Sequence, residues 1–426
     1  MVAGIISILV LCILLILRVP MVVALASGVI VNFTLTSAWP LTLPQMMMSG
    51  MSRFLLLALP LFVLAGGLMN AGGISGRLFE FARALVGPLR GGLAHVNVLT
   101  SMFFGGMIGS STADLAGTGS IVIPEMKKHG YPADFTAAVT ASSAGIGPMI
   151  PPSSPMILYS AVTGTSLGAL FIAGLIPGIL LGLSQMAIVA WLARRYGWMP
   201  FGAFAFGEIF RTGRHAILSF GMPVIIVGGL VIGVFTPTEA GAFAVMYAFF
   251  LSVLIYRTLT LRDVYRVMAN AVQLTGELLL IVALSFALGW GLTSVHVPDA
   301  LTRLIDVVVF TDSDYLRLLA LCILAIIAGM ILDPLIPVLL PVLLPTLAAF
   351  EVDMIHFGVL MVITVVIGQV TPPMAIALII AGRIAEVDQI EVLKANMPFF
   401  WGILAFLLIA IAVPEIATFL PSLMQY

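Results

Sequence analysis

Two proline-rich interruptions and one run of hydroxyls hold most of the chemistry this sequence could do. GIGPMIPPSSP occupies residues 145–155 and GQVTPP residues 368–373, each inside an otherwise apolar stretch. Proline removes a backbone donor and clashes with the preceding turn, and glycine lets the backbone bend or be approached closely. Breaking a helix at mid-membrane frees carbonyl oxygens for a cation and exposes a helix N-terminus to an anion. GSSTAD at 109–114 adds the hydroxyls of Ser110, Ser111 and Thr112 and the acid Asp114; LDPLIP at 332–337 adds Asp333. The hydroxyls could bind a cation or a carboxylate, against the plainer role of back-bonding to helix carbonyls. An acid in apolar surroundings is costly and marks a functional position by default. Asp333 precedes a proline and could equally cap a helix, and Asp114 could simply be hydrogen-bonded.

The elements that position these residues must be membrane helices. Of 426 residues, 61% are hydrophobic and only 9% charged, where soluble domains carry roughly 25% charged residues. Mean hydropathy is +1.20. Many apolar runs reach the ~20 residues that span a bilayer core, and the short alternating segments of a β-barrel are absent. The first run, 1–17, lacks a basic n-region and a small-residue cleavage site, so it reads as a mature helix. No polar stretch is long enough to fold alone, so a motor or catalytic head is absent or supplied by another chain.

Basic residues set the topology. They cluster at Arg77, Arg83 and Arg90, at Lys127 and Lys128, at Arg194, Arg195, Arg211 and Arg214, and at Arg257, Arg262 and Arg266. By the positive-inside rule these loops face the cytoplasm, and both termini, poor in positive charge, face outward. Crossings are expected near 3–17, 20–36, 54–70, 134–163, 168–193, 216–233, 238–256, 270–292, 355–381 and 393–413. The segment from His95 to about Val122 has basic residues on both sides, so it enters and returns as a hairpin with GSSTAD near its tip. The segment 316–350, bounded by Asp312, Asp314, Glu351 and Asp353, forms a second hairpin, entering from outside and turning at LDPLIP. Irregular backbone at that depth requires protein or a water-filled cavity around it.

The double prolines lie 221 residues apart (372 − 151), about half the chain. Aligning them superposes Gly147 on Gly368, and with a gap of two GGMIGSS at 105–111 meets AGMILDP at 328–334. Arg18-Val-Pro20 and Phe235-Thr-Pro237 also correspond. The expected fold is therefore an all-α polytopic membrane protein built as an inverted repeat, with halves at 1–205 and 206–426. Each half contributes scaffold helices, an arm, a re-entrant hairpin and a broken helix, an arrangement common in secondary transporters.

Other residues carry blander expectations. Glu239 in TPTEA is a helix-capping residue, and Arg383, about 16 Å of helix beyond Pro372, reaches the cytoplasmic end. His95, His129, His215, His296 and His356 have no paired spacing for a metal. Cys12 and Cys322 read as buried inert thiols. There is no HExxH, so no enzyme is expected, and a net charge of −1 gives no reason to expect nucleic acid. A respiratory pump would need lysine relays in the membrane. Lys127, Lys128 and Lys394 are the only lysines, and all lie near inner loops.

At four stretches the chain resembles the large membrane subunit of tripartite ATP-independent periplasmic (TRAP) transporters. These are GSSTADLAGTGSIVIPEMKKHGY, GIGPMIPPSSPMILYSAVTGTSLGALFIAGLIPGIL, FTPTEAGAFAVMYA and LLPTLAAFEVDMIHFGVLMVITVVIGQVTPP, spread over both halves. The resemblance implies a sodium-driven, elevator-type importer of organic acids in the bacterial inner membrane, with no cofactor beyond the coupling sodium ions. Dicarboxylates, sialic acid and sugar acids are the candidate substrates. It also implies a small four-helix membrane subunit and a soluble periplasmic substrate-binding protein. The alternative is a stand-alone carboxylate symporter, which would copurify as a homodimer and not with a small partner.

Carried over by position, one sodium site would use Ser110 and Thr112 with carbonyls near Gly147, Ile150 and Pro152. The second would use Asp333 with Gly368, Val370 and Thr371. Hydroxyl and carbonyl oxygens suit a hard monovalent cation. Many relatives have serine where this chain has Ile108, so a side-chain ligand is lost there and only a carbonyl could serve. Substrate contacts are expected from Ser110, Ser111, Thr112, Ser153, Thr371 and Pro373.

Overall fold

The computed structural model describes residues 1–309 and 313–423. Asp312, the last residue of the second arm and the end of the C-terminal stretch fall outside them. The described chain is helical, and its one bridge, between Arg90 and Pro200, is isolated. Six helical segments are long and apolar enough to cross a membrane unaided: 54–71, 167–196, 206–231, 237–255, 261–294 and 389–412. Val2–Ile16 and Met21–Leu35 are apolar but only 15 residues each.

Local chemistry explains the boundaries. The helix Pro237–Phe249 starts with proline at its first position, where a missing N–H costs nothing. Thr236 and Glu239 close a capping box there, with the Glu239 carboxylate accepting from the Thr236 N–H at 2.7 Å. The capping role expected of Glu239 is the one observed. Thr260 and Asp263 repeat the device at the start of Leu261–Ser294. The sequence reading gave no place to two short helices, Thr42–Met51 and Glu415–Ser422.

The first hairpin consists of Gly92–Ile108 and a returning limb that runs to Lys128 through a π-helical stretch at Leu115–Gly119. It is thus longer than the 95–122 expected. Tip residue Gly109 sits at φ +62°, a left-handed conformation that ends the helix at little cost to glycine alone. The second hairpin pairs Asp314–Gly329 with Leu335–Ala349. Both broken helices are broken at their double prolines: Ala133–Ala144 resumes as Ser154–Thr163, and Met354–Gln369 resumes as Ile376–Ala385.

These four pieces form the centre of the molecule. Residues 135–149 and 356–368 are buried without interruption. Gly92–Ile108 packs on Ala133–Ala144, Asp314–Gly329 on Met354–Gln369, and Ile376–Ala385 returns onto Ala133–Ala144. Polar groups tie this centre together where lipid offers no partners. Asn97 donates to Thr140 Oγ1 at 2.6 Å, Ser143 to Asn97 Oδ1 at 3.2 Å, and Ser142 to Asn396 Oδ1 at 2.7 Å. Gln185 donates to the Ser142 carbonyl at 3.0 Å. Such interhelical bonds fix helix register in membranes. Lys127 donates to the Ala385 carbonyl at 2.7 Å, so the end of the first hairpin holds the end of the second broken helix. Around this centre, Leu261–Ser294 packs on Met21–Leu35, Thr42–Met51 and Ala58–Ala71, and Ala58–Ala71 packs on Pro237–Phe249.

Candidate functional site

Each hairpin crosses its broken helix at a pair of glycines. A Cβ on Gly105 would lie 2.6 Å from the Gly147 Cα, and a Cβ on Gly368 would lie 2.6 Å from the Gly329 carbonyl oxygen. Only hydrogen fits at either crossing, so backbones meet directly. Beyond each crossing the tip is pinned by one backbone bond. The Ser154 N–H donates to the Gly109 carbonyl at 3.2 Å, and the Met374 N–H to the Met330 carbonyl at 3.3 Å. Three X-Pro bonds at these breaks are cis: Pro151–Pro152, Asp333–Pro334 and Pro372–Pro373.

Between the tips lies a cavity of about 590 Å³. One wall comes from the hairpins and broken helices: Ile108, Ser110–Ala113, Pro148, Ser154, Asp333–Ile336, Gln369 and Ile376. The other comes from Met21, from Val63 to Asn70 and from Leu274 to Ile281, that is, from helices outside the central group. Three helices of ten residues or more begin at the first wall, at Ser154, Leu335 and Ile376. The starts at Leu335 and Ile376 have no side-chain cap, so their first N–H groups and positive dipole ends make that wall receptive to an anion. At Ser154 the first N–H groups are already taken by the Gly109 carbonyl and by Ser153. Gly92–Ile108 and Met354–Gln369 end there, which brings carbonyl ends to the same place.

The side chains expected at the site divide by what their oxygens do. Ser110 Oγ and Thr112 Oγ1 stand 3.1 Å apart at the cavity. Ser111 lines it as well, is 2% exposed, and its hydroxyl has no partner. Gly147 lies against the tip, since its Cβ position is 3.9 Å from the Ser110 carbonyl oxygen. Pro152 is equally close, with its carbonyl against Gly109. Ile150 is extended and its N–H folds back to Ile146 and Gly147. Ser153 is fully buried and occupied with capping: it donates to the Pro148 carbonyl at 2.5 Å and accepts from the Met156 N–H at 3.3 Å.

In the second half, Asp333 lines the cavity facing the Gln369 amide. Gly368 and Val370 are buried. Thr371 donates its hydroxyl to the Ile367 carbonyl at 2.5 Å, and Pro373 is exposed. The cavity therefore brings together Ser110, Ser111, Thr112 and Asp333; Ser153, Val370, Thr371 and Pro373 do not line it.

Asp114 is 1% exposed and accepts from Thr118 Oγ1 at 2.5 Å, while its second oxygen has no partner. Arg383 is exposed in the last turn of its helix. Among the described residues no three His, Cys, Asp or Glu side chains could hold a metal together. Glu277, Asn70 and Gln369 line the cavity but were not singled out from the sequence. Glu277 was findable, as the one acid inside the long apolar part of Leu261–Ser294.

A glycine crossing beneath each of two facing tips, over one largely apolar cavity that carries a few hydroxyl and carboxylate groups, is architecture suited to a carrier. Comparison with known families names which one. The model of the family described as "Tripartite ATP-independent periplasmic transporter, DctM component" matches residues 8–416. This chain belongs to that family. The Sialic acid TRAP transporter large permease protein SiaM of Vibrio cholerae serotype O1 is 35% identical over 381 residues, 89% of each chain. The C4-dicarboxylate TRAP transporter large permease protein DctM of Pseudomonas aeruginosa is 35% identical over 372 residues, 87% of each. The 2,3-diketo-L-gulonate TRAP transporter large permease protein YiaN of Escherichia coli is 33% identical over 374 residues, 87% of this chain and 88% of that one. As a DctM component with this set of apolar helices, the chain is a multi-pass membrane protein of a transporter family.

Proposed function

We propose that this chain is the permease of a sodium-coupled importer of organic acids, and that the cavity is where substrate is held. The observation that carries this reading is the meeting of two hairpin tips and two broken helices at one cavity, where Ser110, Ser111, Thr112 and Asp333 stand in a largely apolar lining. The anion would rest against the uncapped helix starts at Leu335 and Ile376. The coupling ions would sit behind it, where hairpin and broken helix cross. There the donors available are carbonyls, the Ser110 and Thr112 hydroxyls and the Asp333 carboxylate, an all-oxygen set that suits a small hard cation.

The paired glycine crossings and paired tip bonds support reading the chain as an inverted repeat, with halves at 1–205 and 206–426. The cavity's two walls support an elevator, in which the hairpins and broken helices carry the site past a scaffold that includes Met21–Leu35, Ala58–Ala71 and Leu261–Ser294. The family supports two partners, a small membrane subunit and a soluble periplasmic substrate-binding protein. It also supports an inner-membrane location, with both termini periplasmic by the basic-loop argument.

Thermal unfolding of the purified protein in sodium against equimolar potassium tests the coupling. An ion that binds only the native state stabilises it by about 2.7 kcal/mol at a hundredfold excess over Kd. A sodium-specific rise in Tm that shrinks in Thr112→Val and Asp333→Asn is expected. Equal Tm values in the two salts across the accessible concentration range would count against sodium coupling.

A further inference from the structure

The cavity's charges are one-sided. Among the described residues no lysine, arginine or histidine lines it, and its two ionisable side chains, Glu277 and Asp333, are both acids. They stand on opposite walls. Asp333 belongs to the wall of helix starts, faces Gln369, and on the transport reading shares its charge with a coupling ion. Glu277 belongs to Leu261–Ser294 on the other wall and is exposed to the cavity. None of the described residues gives it a hydrogen bond or an ion pair.

That asymmetry constrains what can lie between the walls. One anionic group is well served at the first wall, by the uncapped helix starts at Leu335 and Ile376 and by the Ser111 hydroxyl, buried and without a partner. A second carboxylate reaching across would meet Glu277, a like charge with no cation to offset it. An ionised carboxylate accepts hydrogen bonds and donates none. Glu277 is therefore complementary to hydroxyl or amide donors at the far end of a substrate.

We infer that Glu277 is a specificity residue. It selects monocarboxylates whose opposite end carries hydroxyl donors, the sugar-acid class, and rejects dicarboxylates. This rests on the transport reading above and narrows it to one substrate class.

The test is equilibrium binding to the purified full-length protein in sodium, with D-gluconate and succinate as the two ligands. Wild-type protein should bind gluconate at least about tenfold more tightly than succinate, the scale of one uncompensated like-charge contact across a solvated cavity. Glu277→Gln keeps the size of the side chain and removes its charge; it should shrink that preference about tenfold, mainly by tighter succinate binding. Glu277→Asp keeps the charge and should keep the preference. Succinate binding as tightly as gluconate, a preference unchanged in Glu277→Gln, or no gluconate binding at all would each overturn the assignment. Sodium-dependent binding of succinate at least as tight as that of gluconate would sink this inference and leave the transport reading standing. A protein that neither responds to sodium nor binds either acid would sink both.

Discussion

Ser111 shows how a hydroxyl can be poor for the fold and useful to a site. It is buried, its oxygen has no partner, and it stands at the cavity between Ser110 and Thr112. Leaving a buried hydroxyl unsatisfied costs on the order of 1–3 kcal/mol. Ser111→Ala should therefore leave Tm unchanged or raised in potassium, while the sodium-dependent or substrate-dependent rise becomes smaller. A Tm that falls in potassium would mean the hydroxyl has a structural partner after all. Ser153 is the opposite case, since its oxygen is fully used in capping. Residue type alone could not separate the two, because both are serines beside a second serine in otherwise apolar sequence. What differs is the direction of one bond, set by whether the backbone there is extended or already helical. Thr371 was hidden for the same reason, its hydroxyl turned back to Ile367. Asp333 was legible because an acid in an apolar run stands out. Glu277 stands out equally by that rule, although no proline interrupts its helix to mark a site.

At the scale of elements, the crossings make the sharpest demand. A Cβ at Gly368 meets backbone, which cannot swing aside as a flexible side chain could. Gly368→Ala should cost about 1–3 kcal/mol, as overpacking does, and Gly105→Ala should match it at the other crossing. Gly76 is the control: it lies in the helix Ile74–Val86 with nothing within 4 Å of its Cβ position. Gly76→Ala should be neutral or stabilising by up to about 1 kcal/mol. Equal tolerance at all three positions, measured by Tm, would refute the close-crossing account. Hairpins and breaks were readable because proline and glycine act locally, and a double proline ends a helix wherever it stands. Thr42–Met51 and Glu415–Ser422 were not readable. Each is short and flanked by further apolar residues, so only packing against Leu261–Ser294 and against 167–196 distinguishes it from the loops around it.

At the scale of the molecule, the distance between equivalent interruptions was visible as a number, whereas the cavity was not, because it is made by residues from 21 to 376 that no local pattern connects. The two opening helices bear on this scale too. Val2–Ile16 and Met21–Leu35 have 15 residues each, which gives about 22 Å of helix, against a hydrocarbon layer of about 30 Å. Val2, Ile5, Leu9, Ile13 and Ile16 are exposed along the first of them. Lipid beside a short apolar helix compresses to match it, at a cost of fractions of a kcal/mol per Å. Uptake into vesicles should accordingly be faster in short-chain than in long-chain phosphatidylcholine, and a rate indifferent to chain length would refute this. On the elevator reading proposed above, a frame that thins the bilayer beside it would shorten the journey the cargo makes, so the membrane itself would become one of the parts that sets the stroke.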